Sequence, residues 1–113
     1  MTVSSSFALV TGEEIPFSTL VCNVEKHFSV KTNLIDKYNA TGIQKELEYI
    51  IDIMPNKVHF MLFDSESSKE KVYHQVDKFI KVYLKNKTIG LKNYSSNNDE
   101  ISDVVTKNNL ILI

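Results

Sequence analysis

Residues 58–85 read VHFMLFDSESSKEKVYHQVDKFIKVYLK, and the change of period inside this stretch decides the fold class. Val58, Phe60 and Leu62 alternate with His59, Met61 and Phe63, which predicts a strand apolar on both sides. Such a strand belongs in the middle of a sheet covered on both faces. Ser67 and Glu70 then form an S-x-x-E capping box, and Val72, Val76, Phe79, Ile80 and Tyr83 recur along one side of a long helix over 67–86. Lys78, Lys81 and Lys85 lie toward its C-terminal end, where positive charge offsets the helix dipole.

Toward the C-terminus, 88–92 reads as a strand, 99–107 as a short helix with Ile101, Val104 and Val105 inward, and 110–113 as a final apolar strand. The order β-α-β-α-β predicts parallel strands joined by right-handed crossovers. If the last strand lies at a sheet edge, Leu110, Ile111, Leu112 and Ile113 are expected to pair with another chain.

Toward the N-terminus, Thr41 and Gln44 form a T-x-x-Q capping box, and Ile43, Leu47, Ile50, Ile51 and Met54 fall at helical spacing before Pro55. This predicts a helix over 41–54. Phe17, Leu20, Val21, Val24 and Phe28 mark another helix that begins just after Pro16, although the alternation of Leu20, Cys22 and Val24 leaves a strand open there. Phe7 to Val10 is a short apolar strand closed by Thr11 and Gly12. The expectation is one α/β domain over 1–113, with a central mixed or mostly parallel sheet of about four strands and helices packed on it.

Composition narrows the function classes. The chain has 113 residues, 42% apolar and 24% charged, enough for one core without disulfides or metal. Cys22 is its only cysteine and reads, among Leu20, Val21 and Val24, as a small buried hydrophobe. The absence of a secretory signal pattern and of a long apolar run places the chain, as an expectation, in the cytoplasm and off the membrane. The net charge of −1 argues against a dedicated nucleic-acid binder. The charge is uneven: residues 1–56 hold seven acids against four lysines, and residues 66–92 seven lysines against three acids.

No segment carries a catalytic, metal or cofactor motif. Asp64 follows a strand and precedes a helix, where ligands of α/β sheets bind, yet the run Asp64-Ser65-Glu66-Ser67-Ser68 departs from two patterns. Glu66 replaces the Ser of a D-x-S-x-S metal site and the second Asp of a phosphatase D-x-D. Asp64 and Ser65 read as leading into the Ser67 cap, with Ser65, Ser67 and Ser68 as a loop that phosphate would stabilise through the helix dipole. Gly12, Gly42 and Gly90 are dispersed, so no phosphate-cradling loop exists. His27, His59 and His74 lack metal-ligand spacing; His59 reads as a hydrogen-bonded core residue, His27 and His74 as solvent-side helix residues. The lysine-rich helix and the tyrosines Tyr73, Tyr83 and Tyr94 offer phosphate contacts and stacking, but no arginine is present for bidentate contacts.

By elimination the sequence points to a protein-binding module without a cofactor. The favoured form is an inhibitor or immunity-type protein that neutralises a toxin or enzyme. Its acidic residues Glu13, Glu14, Glu25, Asp36, Glu46, Glu48 and Asp52 would steer onto a basic partner such as a nuclease. Two alternatives stand beside it. One is a regulatory adaptor similar in logic to anti-sigma-factor antagonists, switched at the 64–68 loop; the other is a small enzyme using Asp64 in metal-assisted phosphoryl transfer.

Overall fold

The computed structural model describes residues 3–12, 15–63, 66–84, 88–94 and 104–112. The strand over 58–63 is where the sequence places it. It is β5 (Lys57–Phe63), fourth of seven in the order β2-β3-β4-β5-β1-β6-β7. Around it stand β1 (Val3–Thr11), β2 (Thr32–Asp36), β3 (Asn39–Gln44), β4 (Tyr49–Met54), β6 (Thr88–Asn93) and β7 (Ile111–Leu112).

Every neighbouring pair is antiparallel except β6 and β7, which overturns the expected parallel, roughly four-stranded α/β sheet. Two changes account for it. β1 inserts between β5 and β6 and runs against both, so β5 and β6 keep the mutual direction that a helical crossover requires while never touching. Residues 32–54 form three strands of an antiparallel meander in place of the 41–54 helix.

The helical spacing from Ile43 to Met54 is outweighed by a period of two. Ala40, Gly42 and Gln44 are buried on β3, and Tyr49, Ile51 and Ile53 on β4, with their neighbours less buried. A helix would have placed these six on different sides. Gln44 caps a turn and not a helix: its Oε1 accepts from Leu47 N–H at 2.9 Å, and its Nε2 donates to the Phe28 carbonyl at 3.5 Å. Pro55 followed by Asn56 at φ 68° turns β4 into β5, the residue order of a tight turn.

Helix α1 (Phe17–Phe28) begins after Pro16, where Leu20 N–H donates to the Pro16 carbonyl at 3.0 Å, and ends at Ser29 in the left-handed region. Helix α2 (Glu66–Phe79) continues as a π-helical stretch, Ile80–Leu84. Leu20, Val24 and Phe28 meet Val72, Val76 and Phe79 and the sheet residues Phe7, Leu9, Tyr49, Ile51, Phe60 and Leu62 in one core cluster. Its centre is aromatic: the Phe60 ring stacks on Phe7 at 5.0 Å and meets Phe28 edge-on at 5.2 Å, and Phe28 packs on Phe79 at 5.3 Å.

Both helices therefore lie on one face of the sheet. The opposite face of β5, with His59, Met61 and Phe63, has no helix over it among the described residues and is only half buried, which corrects the expectation of cover on both sides. Cys22 is exposed and not a core residue. The 67–70 capping box and the helix expected from 99 to 103 lie outside the described side chains and residues, while 104–107 is helical with Val104 buried.

Candidate functional site

The meander leaves β2 at one edge of the sheet, with its outer main-chain groups unpaired by any described strand. The exposed apolar side chains concentrate there: Leu34 is 68% exposed, Ile35 63%, Tyr38 54% and, on the adjoining β3, Ile43 60%. The register turns Leu34, opposite buried Ala40, toward the helical face of the sheet, and the strand then bulges at the exposed Ile35 between Leu34 and Asp36. Between β2 and α1 runs a groove of about 340 Å³ lined by Phe17, Val21 and Leu34, with Ser18, Glu25, Thr32 and Lys37 along it. Phe17 and Val21 belong to the apolar stripe read from the sequence. They flank the buried line Leu20, Val24, Phe28, and so form a groove wall as well as a core margin.

The groove is built by short polar ties. Glu25 Oε2 accepts from the Thr32 N–H at 2.8 Å and from its hydroxyl at 3.0 Å, joining α1 to the first residue of β2. Asp36 Oδ1 accepts from Tyr38 N–H at 2.9 Å and closes the β2–β3 turn. The Tyr38 ring meets Phe17 edge-on at 6.4 Å, with the Lys37 ammonium 5.3 Å from its centre.

The structure therefore disperses the acids that the sequence brought forward. Glu25 lines the groove and accepts from Thr32, whereas Asp36 is exposed at the end of β2 and accepts from the Tyr38 N–H. Glu46 and Glu48 sit in the β3–β4 turn at the other end of β3, where Glu46 lines a second groove of about 630 Å³ with Glu70, Lys71, His74 and Lys78, a wall of mixed sign. Asp52 is on the open face of β4. Glu13, Glu14, Asp64 and Ser65 lie outside the described residues, as do the side chains of Ser67 and Ser68. No single acidic surface unites Glu25, Asp36, Glu46, Glu48 and Asp52.

On the open face, Asp52 of β4 and His59 of β5 are opposite each other, and Ser6 Oγ shares a hydrogen bond with His59 Nε2 at 3.1 Å. His59 is thus hydrogen-bonded as expected, but on the open face and not in the core. Burial and the nearby Lys57 charge lower its pKa, with Asp52 opposing. The three residue types match a nucleophilic triad, but the surroundings do not. The backbone N–H groups of β5 are taken by its ladders with β1 and β4, so among the described residues this strand presents no pair of donors to an oxyanion.

His27 also departs from the sequence reading. Its Nε2–H donates to the Gln75 carbonyl at 2.9 Å and its ring packs against Phe28, Phe79 and Tyr83, joining α1 to α2; His74 is exposed. At the other sheet edge, Ile111 and Leu112 of β7 are exposed, as the reading of 110–113 expected of an edge.

Sequence reasoning missed β2. The signal available was the pair Leu34-Ile35 bracketed by Lys31 and Lys37, the charge-guarded pattern of an edge strand. No helix among the described residues is long and apolar enough to cross a membrane. The fold and site define a helix-backed, mainly antiparallel sheet with an open edge and a groove beside it. Compared with protein-family models, curated proteins and solved structures, the chain matches none.

Proposed function

We propose that this chain is a protein-binding module of the inhibitor or immunity type, which takes an extended segment of its partner as an added strand on β2. The observation that carries this reading is the α1–β2 groove beside an unpaired edge that exposes Leu34 and Ile35. An added strand gains main-chain hydrogen bonds from the edge, and alternate side chains supply specificity. Here one set would enter the groove between Phe17, Val21 and Leu34, and the other would face away from it.

The charges at this edge favour a different protein over a second copy. Lys31 and Lys37 flank β2 at its two ends, so an antiparallel second copy brings lysine toward lysine, and like charges close together across strands are destabilising. Glu25 is tied to Thr32 within the groove, and Asp36 accepts from the Tyr38 N–H in the exposed turn beside Lys37. The matching segment is apolar at alternate positions and acidic at its ends. This reverses the polarity suggested by the acidic first half, since the lysines face the partner.

Selection from a random-peptide display library, followed by hydrogen exchange on the complex, tests the reading. The expected winners are acid-flanked, alternating peptides that slow exchange at 32–36, with charge preference inverted by Lys31→Glu combined with Lys37→Glu. Selected peptides that leave exchange at 32–36 unchanged would refute it.

A further inference from the structure

We infer that the open sheet face beside Tyr94 is a binding site for a phosphoryl oxyanion, held by the ammonium groups of Lys57 and Lys92 with Ser6 and His59 at its rim. The register places the two lysines on either side of β1: Lys57 of β5 opposes Val10, and Lys92 of β6 opposes Ala8. Both ammonium groups lie 5.4 Å from the centre of the same Tyr94 ring. That ring is held over β1 by the Tyr94 N–H, which donates to the Ser6 carbonyl at 3.0 Å, and by His59, whose ring centre is 5.1 Å away.

The floor between the lysines is Ala8 and Val10 of β1, flanked by Gly90 of β6. Ala8 is fully buried although no described helix covers this face, and Gly90 opposes Val10 one position along. Among the described residues, neither ammonium has a carboxylate within ion-pair distance. The groups facing His59 are Ser6 and Ala8 from β1, Asp52 from β4, Lys57 from its own strand, and Tyr94 from the end of β6. The acid in this set, Asp52, stands on the side of His59 away from Lys92.

Two flexible lysine stems over a low floor can converge on one anion as point charges, a contact phosphate accepts without a bidentate fork. The Ser6–His59 hydrogen bond leaves one proton of the pair for the anion: the Ser6 hydroxyl donates when His59 carries its proton on Nε2, and His59 donates from Nδ1 when Ser6 donates to Nε2. Burial first and the Lys57 charge second hold the His59 pKa down against Asp52, and an oxyanion bound between the lysines would bring a further negative charge that raises it.

The test is an NMR titration of the His59 imidazole in a chloride buffer, alone, with millimolar pyrophosphate, and with a short oligothymidylate. Pyrophosphate is expected to raise the His59 pKa by about one unit. The rise should vanish in Lys57→Ala combined with Lys92→Ala, and shrink in Lys92→Ala alone, each compared with its own ligand-free curve. A rise that only the oligonucleotide produces, weakening steeply with salt, would assign the phosphoryl group to a nucleic-acid backbone. No rise with either probe, or the same rise in the double variant, would overturn the site.

Discussion

The Glu25 carboxylate accepts both the N–H and the hydroxyl of Thr32, at 2.8 and 3.0 Å, so a single side chain of α1 sets where the edge strand begins. Helix and strand are thereby held as the two walls of one groove. Glu25→Ala should cost about 1–3 kcal/mol, because it leaves a partly buried amide without its acceptor. Urea denaturation reads the loss, and exchange at Thr32 should accelerate more than exchange in β5. An unchanged Thr32 amide would show that the tie does not hold the strand.

Leu34 separates binding from stability. With 68% of its surface exposed, it contributes little to the core, and Leu34→Lys should change unfolding free energy by no more than about 0.5 kcal/mol. Binding of an added strand should nonetheless be lost, since the substitution places a charge in the groove. The exposed single thiol, Cys22, offers a labelling position on α1 for a fluorescence assay of that binding.

Gly42 is required by close packing. A Cβ at this position would lie 2.7 Å from the Lys31 carbonyl oxygen and 2.9 Å from a Val30 methyl, and the backbone atom cannot move without shifting β2. Gly42→Ala should destabilise by about 1–3 kcal/mol and selectively loosen β2, visible as lower thermal stability with faster exchange at 32–36. A neutral effect would mean that the edge strand sits farther from β3 than described.

Among the described residues, His59 and Asp77 have lowered pKa values and contribute to the acid limb of the stability curve. His59 has a lowered pKa in the folded chain, so its contribution is complete above the ordinary value of 6.5 and is lost as pH falls through the folded value. His59→Gln should flatten the stability profile just below pH 6.5. Asp77 is also lowered: burial alone would raise it, but hydrogen bonds from Asn108 and Lys81 and the charges of Lys81 and Lys107 prevail. Its contribution is complete above its ordinary value of 3.8 and disappears below that, so Asn108→Ala should shift the acid unfolding midpoint upward. Because Asn108 Nδ2 donates to Asp77 Oδ1 at 2.7 Å, the same variant should free β7, which exchange at 110–112 would report.

The long-period signals were legible in the amino-acid order. Phe17 to Phe28 and Val72 to Phe79 mark α1 and α2 correctly, because each spans several helical repeats, and the strand over 58–63 is marked by a run of apolar residues on both of its faces. Residues 39–54 carry only six-residue strands, and Ile43, Ile50 and Met54 satisfy helical spacing by chance. Tertiary packing decided that segment: pairing with β5 buries Tyr49, Ile51 and Ile53 under α1 and α2, a gain that no local preference encodes. The same holds for both candidate surfaces. Each lysine, tyrosine and leucine in them is an ordinary residue along the chain. The insertion of β1 between β5 and β6 brings Lys57 and Lys92 to one tyrosine ring, and the meander leaves Leu34 at an edge beside Phe17 and Val21. Those juxtapositions depend on strand order, which is set by the free energy of the whole core and not by any segment within it.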